Sequence, residues 1–107
     1  MTIEWSPRAQ GLFYGILSEI REELSAEDAL RWHGRIVDAT LQLASFPLAG
    51  QLIPTEAFES IPPNADRLRQ IIVKPYRIVY EPVGDEIHIL SIRHSRMLTT
   101  MDDTAWN

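Results

Sequence analysis

PYRIVYEPVGDEIHILSIRHSRM, residues 75–97, holds two strand-like runs on either side of Gly84-Asp85. Ile, Val and Tyr crowd both runs, and the Gly-Asp pair supplies the turn, so the stretch reads as a β-hairpin. A two-residue turn, or a four-residue loop centred on the same pair, sets Ile87 opposite Pro82 and Ile92 opposite Arg77. Arg77, Val79 and Glu81 then share a face with His88, Leu90, Ile92 and His94, while Ile78 and Tyr80 share the other with Ile87, Ile89 and Ser91. The second set is expected beneath helices. The first is a half-polar, open face with Arg77 diagonal to His94. A three-residue loop would exchange the two faces, because a one-residue slip turns every side chain over.

Upstream, Thr2-Ile3-Glu4-Trp5 reads as a short strand, followed by Ser6-Pro7, a helix cap with proline in the first turn. Ala9, Leu12, Phe13, Ile16, Leu17, Ile20 and Leu24 recur at three- and four-residue spacing and define one apolar stripe. Gly11 and Gly15 interrupt that helix and are expected to mark close approach to a neighbour. Ser25 opens a second helix with Glu27 and Asp28 in its positively polarised first turn. Its stripe is read as Ala29, Leu30, His33, Ile36, Val37, Thr40, Leu41 and Ala44. With almost nothing between them, the helices must fold back on each other. Residues 47–66 contain four prolines and no period. A loop of that length in a small domain is either functional or a proline-braced surface wrap. A third strand-like run spans Leu68 to Val73. The expected fold is α+β, ordered β-α-α-β-β-β, with a two-helix antiparallel hairpin packed on a small, mainly antiparallel sheet. Residues 1–98 form one domain and 99–107 a C-terminal tail.

The 107 residues suffice for a single core, and the absence of cysteine excludes disulfides and thiolate chemistry. No basic leader followed by an apolar segment is present, so a soluble, cytoplasmic protein without membrane association is expected. The formal net charge of −5 argues against nucleic-acid binding by the chain as a whole. Its distribution is uneven. Residues 1–66 carry 4 basic and 10 acidic side chains, whereas residues 67–96 carry 6 and 3.

His88 and His94 have no third ligand at metal-binding spacing, so neither metal nor cofactor is expected. No glycine-rich phosphate loop or nucleophile elbow is present. Each polar residue of the hairpin also has a structural reading: Arg77 could pair with Glu81, Arg93 and Arg96 could solubilise a sheet end, and His33 could be a partly buried, hydrogen-bonded histidine of the helical stripe. Trp5 and Tyr80 read as aromatics of the core or its edge.

Three motifs in order, Trp5-Ser6-Pro7-Arg8-Ala9, Tyr76-Arg77-Ile78-Val79-Tyr80 and Ile87 through Arg96, resemble the ParE-like branch of the RelE/ParE toxin superfamily. The likeness covers nearly all of residues 2–98. It implies the growth-inhibiting toxin of a type II toxin–antitoxin module, bound by a cognate antitoxin in a hetero-oligomer. ParE-like members poison DNA gyrase; RelE-like members cut mRNA on the ribosome. For a metal-independent endoribonuclease, the resemblance points to Arg69, Arg77 and His94 as catalytic residues, but no tyrosine follows Tyr80 to match the RelE C-terminal tyrosine. Action by binding rather than turnover is therefore expected, with Arg77, Arg93, His94 and Arg96 as target contacts; the alternatives are the RelE-like endonuclease and an inactive relative or binding module.

Overall fold

A computed structural model describes residues 1–107. The chain runs β1 (Thr2–Trp5), α1 (Pro7–Glu23), α2 (Ala26–Leu41), β2 (Gln51–Leu52), β3 (Arg69–Val73), β4 (Tyr76–Val83) and β5 (Glu86–His94), with short 3-10 turns between and after these elements. The five strands lie in the order β1-β5-β4-β3-β2, every pair antiparallel except β1 with β5. The two-residue β2 lies in the stretch read from sequence as an aperiodic loop; it is too short to show a period of its own.

The caps form as read. Ser6 Oγ accepts from the Ala9 amide at 3.0 Å and donates to the Leu90 carbonyl at 3.3 Å, tying the start of α1 to β5. Ser25 Oγ accepts from the Asp28 amide. The stripe of α1 packs as expected through Ala9, Phe13 and Ile20, and ends before the exposed Leu24. That of α2 holds at Ile36, Val37 and Thr40 and departs elsewhere. Trp32 and, just past the helix, Leu43 meet the core, while Leu30, His33 and Leu41 are exposed, because α2 leans on α1 and the sheet at once. Gly11 and Gly15 face open space rather than a neighbour. The close approach is at Gly50, where a Cβ would sit 2.6 Å from the Gln70 carbonyl oxygen and from the Tyr80 ring.

Between the helices and the sheet lie nine buried residues: Ala9, Phe13, Ile36, Leu43, Ile78, Tyr80, Ile87, Ile89 and Ile92. Trp5 stacks on Phe13 at 5.0 Å, and His33 stacks on the same ring from its other neighbour at 5.5 Å. A second cluster, Ile53, Phe58, Leu68, Val79 and Leu90, fills the opposite face. That face is not open. The proline-rich segment 47–66 wraps it, and Phe58 bridges to Thr99 of the C-terminal segment.

The hairpin register agrees with the sequence reading near the turn and departs from it beyond. Pro82 faces Ile87 and Tyr80 faces Ile89, but Val79 faces Ser91, because a bulge adds one residue to β5 at Leu90. Past the bulge every pairing moves by one: Ile78 faces Ile92, Arg77 faces Arg93, and Tyr76 faces His94. Ile92 therefore joins the helix-side core, and Arg77 and His94 point to opposite faces.

Candidate functional site

The basic residues of the hairpin end in three different settings. Arg77, half buried under the C-terminal segment, donates to the carbonyls of Ser95 (2.9 Å) and Met97 (2.8 Å). It does not pair with Glu81, which instead accepts from Arg67 at 2.9 Å. Burial lowers the guanidinium pKa of Arg77 below its ordinary value, though arginine remains charged at any physiological pH. Arg93, its cross-strand partner, lies 3.5 Å from a carboxylate oxygen of Asp103.

His94 and Arg96 belong to the end of the sheet. The His94 ring faces the helix side opposite Tyr76, and its Nδ1 accepts from the Arg96 amide at 3.2 Å. The Arg96 side chain is exposed and unpaired, as is that of Lys74 in the neighbouring turn, which is joined to this end by the Ser95 amide donating to the Pro75 carbonyl. Beside them Tyr76 meets the edge of Trp32 at 5.3 Å, and Arg35 lies over the Trp32 ring at 4.2 Å. Burial, and then the nearby Glu19 and Glu23, push the Tyr76 hydroxyl above its ordinary pKa.

Arg69 is remote from both groups, holding the loop before β2 through bonds to the carbonyls of Gly50 (2.7 Å) and Leu48 (3.4 Å). The three residues that the ribonuclease reading required, Arg69, Arg77 and His94, are thus not brought together. Arg69 and His94 share the helix-side face at separate strands, and Arg77 is beneath the C-terminal segment on the other.

The sequence reading missed Arg8 and Asp103. Asp103 is fully buried, with Oδ1 accepting from Arg8 Nη2 (3.0 Å) and Nε (3.3 Å) and Oδ2 accepting from the Thr100 amide (3.0 Å). The Asp103 amide in return donates to Thr100 Oγ1 at 3.3 Å. A readable signal was present: Thr100-Met101-Asp102-Asp103 has the spacing of a capping box, which marks an ordered turn within the residues read as a C-terminal tail.

The family described as "ParE toxin of type II toxin-antitoxin system, parDE" matches residues 3–99. The chain belongs to the ParE toxin family. Among solved structures, one described as "Chromosomal ParDE TA system from P. aeruginosa" superposes with a TM-score of 0.69 at 22% identity, covering 88% of this chain and 95% of the other. At that identity the likeness speaks for the ParE fold, two helices on a five-stranded, mostly antiparallel sheet. No curated protein matches the chain in sequence. No helix of this ParE-family chain is long and apolar enough to cross a membrane.

Proposed function

We propose that this ParE-family toxin acts in the cytoplasm by binding DNA gyrase, without cofactor or turnover, and that a cognate antitoxin neutralises it. The observation that carries the binding reading is the dispersal of Arg69, Arg77 and His94. Metal-independent RNA cleavage needs a base, an acid and cations around one phosphate, and this arrangement supplies no such grouping. The contact surface on this reading is the cationic end of the sheet. Arg96, with Lys74 beside it, supplies free charge, His94 and Tyr76 supply a polar and aromatic edge, and Arg77 and Arg93 hold the adjoining segment in shape.

The antitoxin is expected on the helix hairpin. Tyr14 and Leu30 are 60% and 73% exposed there, Tyr14 at a hollow of about 290 Å³ that it lines with Glu4, Trp5, Gln10, Phe13, His33 and Val37, and Leu30 at a second of about 300 Å³. An amphipathic segment that orders on binding suits such a surface. Supercoiling assays with purified gyrase test the proposal. The toxin should block the reaction, Arg96→Ala should weaken the block, and cell-free translation should proceed with its mRNA intact. Cleavage of ribosome-bound mRNA together with unimpaired supercoiling would sink it.

A further inference from the structure

The C-terminal segment is held down by directional contacts more than by apolar burial. Its large side chains Met97, Leu98, Met101 and Trp106 are 46%, 50%, 47% and 49% exposed, whereas the Asp103 carboxylate is at 0%. A hollow of about 360 Å³ runs along its seam with the proline-rich loop, between Pro63, Arg67 and Glu81 on one side and Met101, Thr104 and Trp106 on the other. The contacts that fix it are of a general kind. Arg77 donates to the main-chain carbonyls of Ser95 and Met97 and, at 3.4 Å, to the Thr99 hydroxyl, and Arg8 with Arg93 grips a carboxylate. A chain offering carbonyls to Arg77 and an acid from a following turn satisfies both, since a guanidinium fork recognises a carboxylate whatever chain carries it.

A second observation concerns what the segment leaves unsatisfied. Three buried polar atoms have no partner, Gln70 Oε1, Ser91 Oγ and Arg77 Nε, and a fourth, Arg93 Nε, has no hydrogen bond and only the Asp103 carboxylate 3.5 Å away. They form one patch, because Gln70 and Ser91 both flank Val79 across the sheet and Arg77 faces Arg93 in the adjoining row. Buried polar groups are nearly always bonded, so these atoms together mark a surface whose bonding capacity its present cover does not fill. The charge is also unbalanced. Arg8 and Arg93 share the single carboxylate of Asp103, and Arg77 has only neutral acceptors.

We propose that this face of the sheet is a binding site for an acidic peptide segment of a protein partner, kept closed by the chain's own residues 95–107, with Asp103 standing where the partner's carboxylate goes. The site lies on the opposite side of the sheet from the helix hairpin, and the proposal is independent of which cellular target the toxin has.

The test uses the full-length protein, its Asp103→Asn variant, and a labelled synthetic peptide with the sequence of residues 97–107. The variant should bind the peptide at least about tenfold more tightly than the unaltered protein, which must first release its own segment. A peptide carrying the same Asp103→Asn change should bind neither, and adding Arg93→Ala to the protein variant should abolish binding. Native-state hydrogen exchange on the unaltered protein gives a measurement free of any folding defect. The amides of Thr99, Asp103 and Thr104, bonded to Ala57, Thr100 and Met101, should exchange at least about tenfold faster than those of Tyr80 and Ile89 through local opening. Equal peptide affinity for both proteins, or segment amides that exchange only with the core, would overturn the proposal. So would a dimer formed by exchange of this segment between copies, which would assign the site to a second copy of the chain.

Discussion

The two faces of the sheet are built on different physical terms. The helix side has nine buried residues, eight of them wholly hydrocarbon, whose attraction is non-directional and scales with area. The opposite side has a smaller cluster of five, bordered by Arg77, Arg93, Ser91 and Gln70 and covered by loop segments whose regular structure is limited to short 3-10 turns. A cover held by bonds of specific geometry can be exchanged for another that offers the same bonds. An apolar layer gives way only with the fold. The contrast sets non-directional burial against directional bonding on a single sheet.

The comparison is broken most directly at Phe13. Phe13→Ala should cost about 3–5 kcal/mol, read as a lowered denaturation midpoint, since the ring is buried and stacks on both Trp5 and His33. A loss below about 1 kcal/mol would mean that the helix layer is not the stabilising one.

Tyr80 joins the two faces, with its ring in the helix-side core and its hydroxyl donating to the Pro47 carbonyl at 2.8 Å and accepting from the Gly50 amide at 2.9 Å. Tyr80→Phe strands that amide and should cost about 1–3 kcal/mol. Burial also raises the Tyr80 pKa, against smaller opposing effects from the Gly50 bond and Arg69. The unfolded chain then loses its proton first. Stability should be intact below about pH 10 and fall as pH rises past that unfolded value, less steeply in the Phe variant. Alkaline melts that leave the two proteins parallel would contradict this.

Arg77→Ala removes two bonds to carbonyls on the strap side and should cost about 1 kcal/mol, with faster amide exchange confined to residues 95–104. A global loss as large as that of Phe13→Ala would erase the distinction between the faces. Smallest of all, Arg96→Ala should leave the melting point unchanged within about 0.5 kcal/mol, because its side chain has no partner, while inhibition of the target falls. A measurable stability loss there would show that the sheet end is structural.

Much of this architecture is legible in the sequence, because it rests on local signals: Ser6-Pro7 and Ser25 as caps, Gly84-Asp85 as the turn, and Ala9-Phe13-Ile20 as a stripe. What escaped depends on long-range contacts. Leu43 and Trp32 replace Leu30 and Leu41 because the lean of α2 is fixed by its neighbours and not by its own pattern. Asp103 is a buried carboxylate because Arg8, 95 positions away, meets it. Of the candidate residues, Arg77 lies on the face away from the helices, as the alternation implies, whereas His94, like Ile92 and Ser91, lies on the face opposite to the expected one. Alternation alone does not reveal a bulge when both Leu90 and Ser91 are plausible on either side.

That extra residue in β5 works as a phase shift. It lets a single strand send Ile87, Ile89 and Ile92 to the same apolar layer, although the last pair is separated by an odd number of positions. It also delivers Arg93 to the polar side and His94 to the other. The bulge itself therefore sets the faces beyond it. Straightening it with both Leu90 and Ser91 kept in the ladder would turn Arg93 into the helix layer and carry its charge away from Asp103, whereas deleting one of the two restores strict alternation and leaves Ile92 and Arg93 where they are. In this strand the ladder's local geometry, more than the identity of the side chains, decides which groups a partner meets.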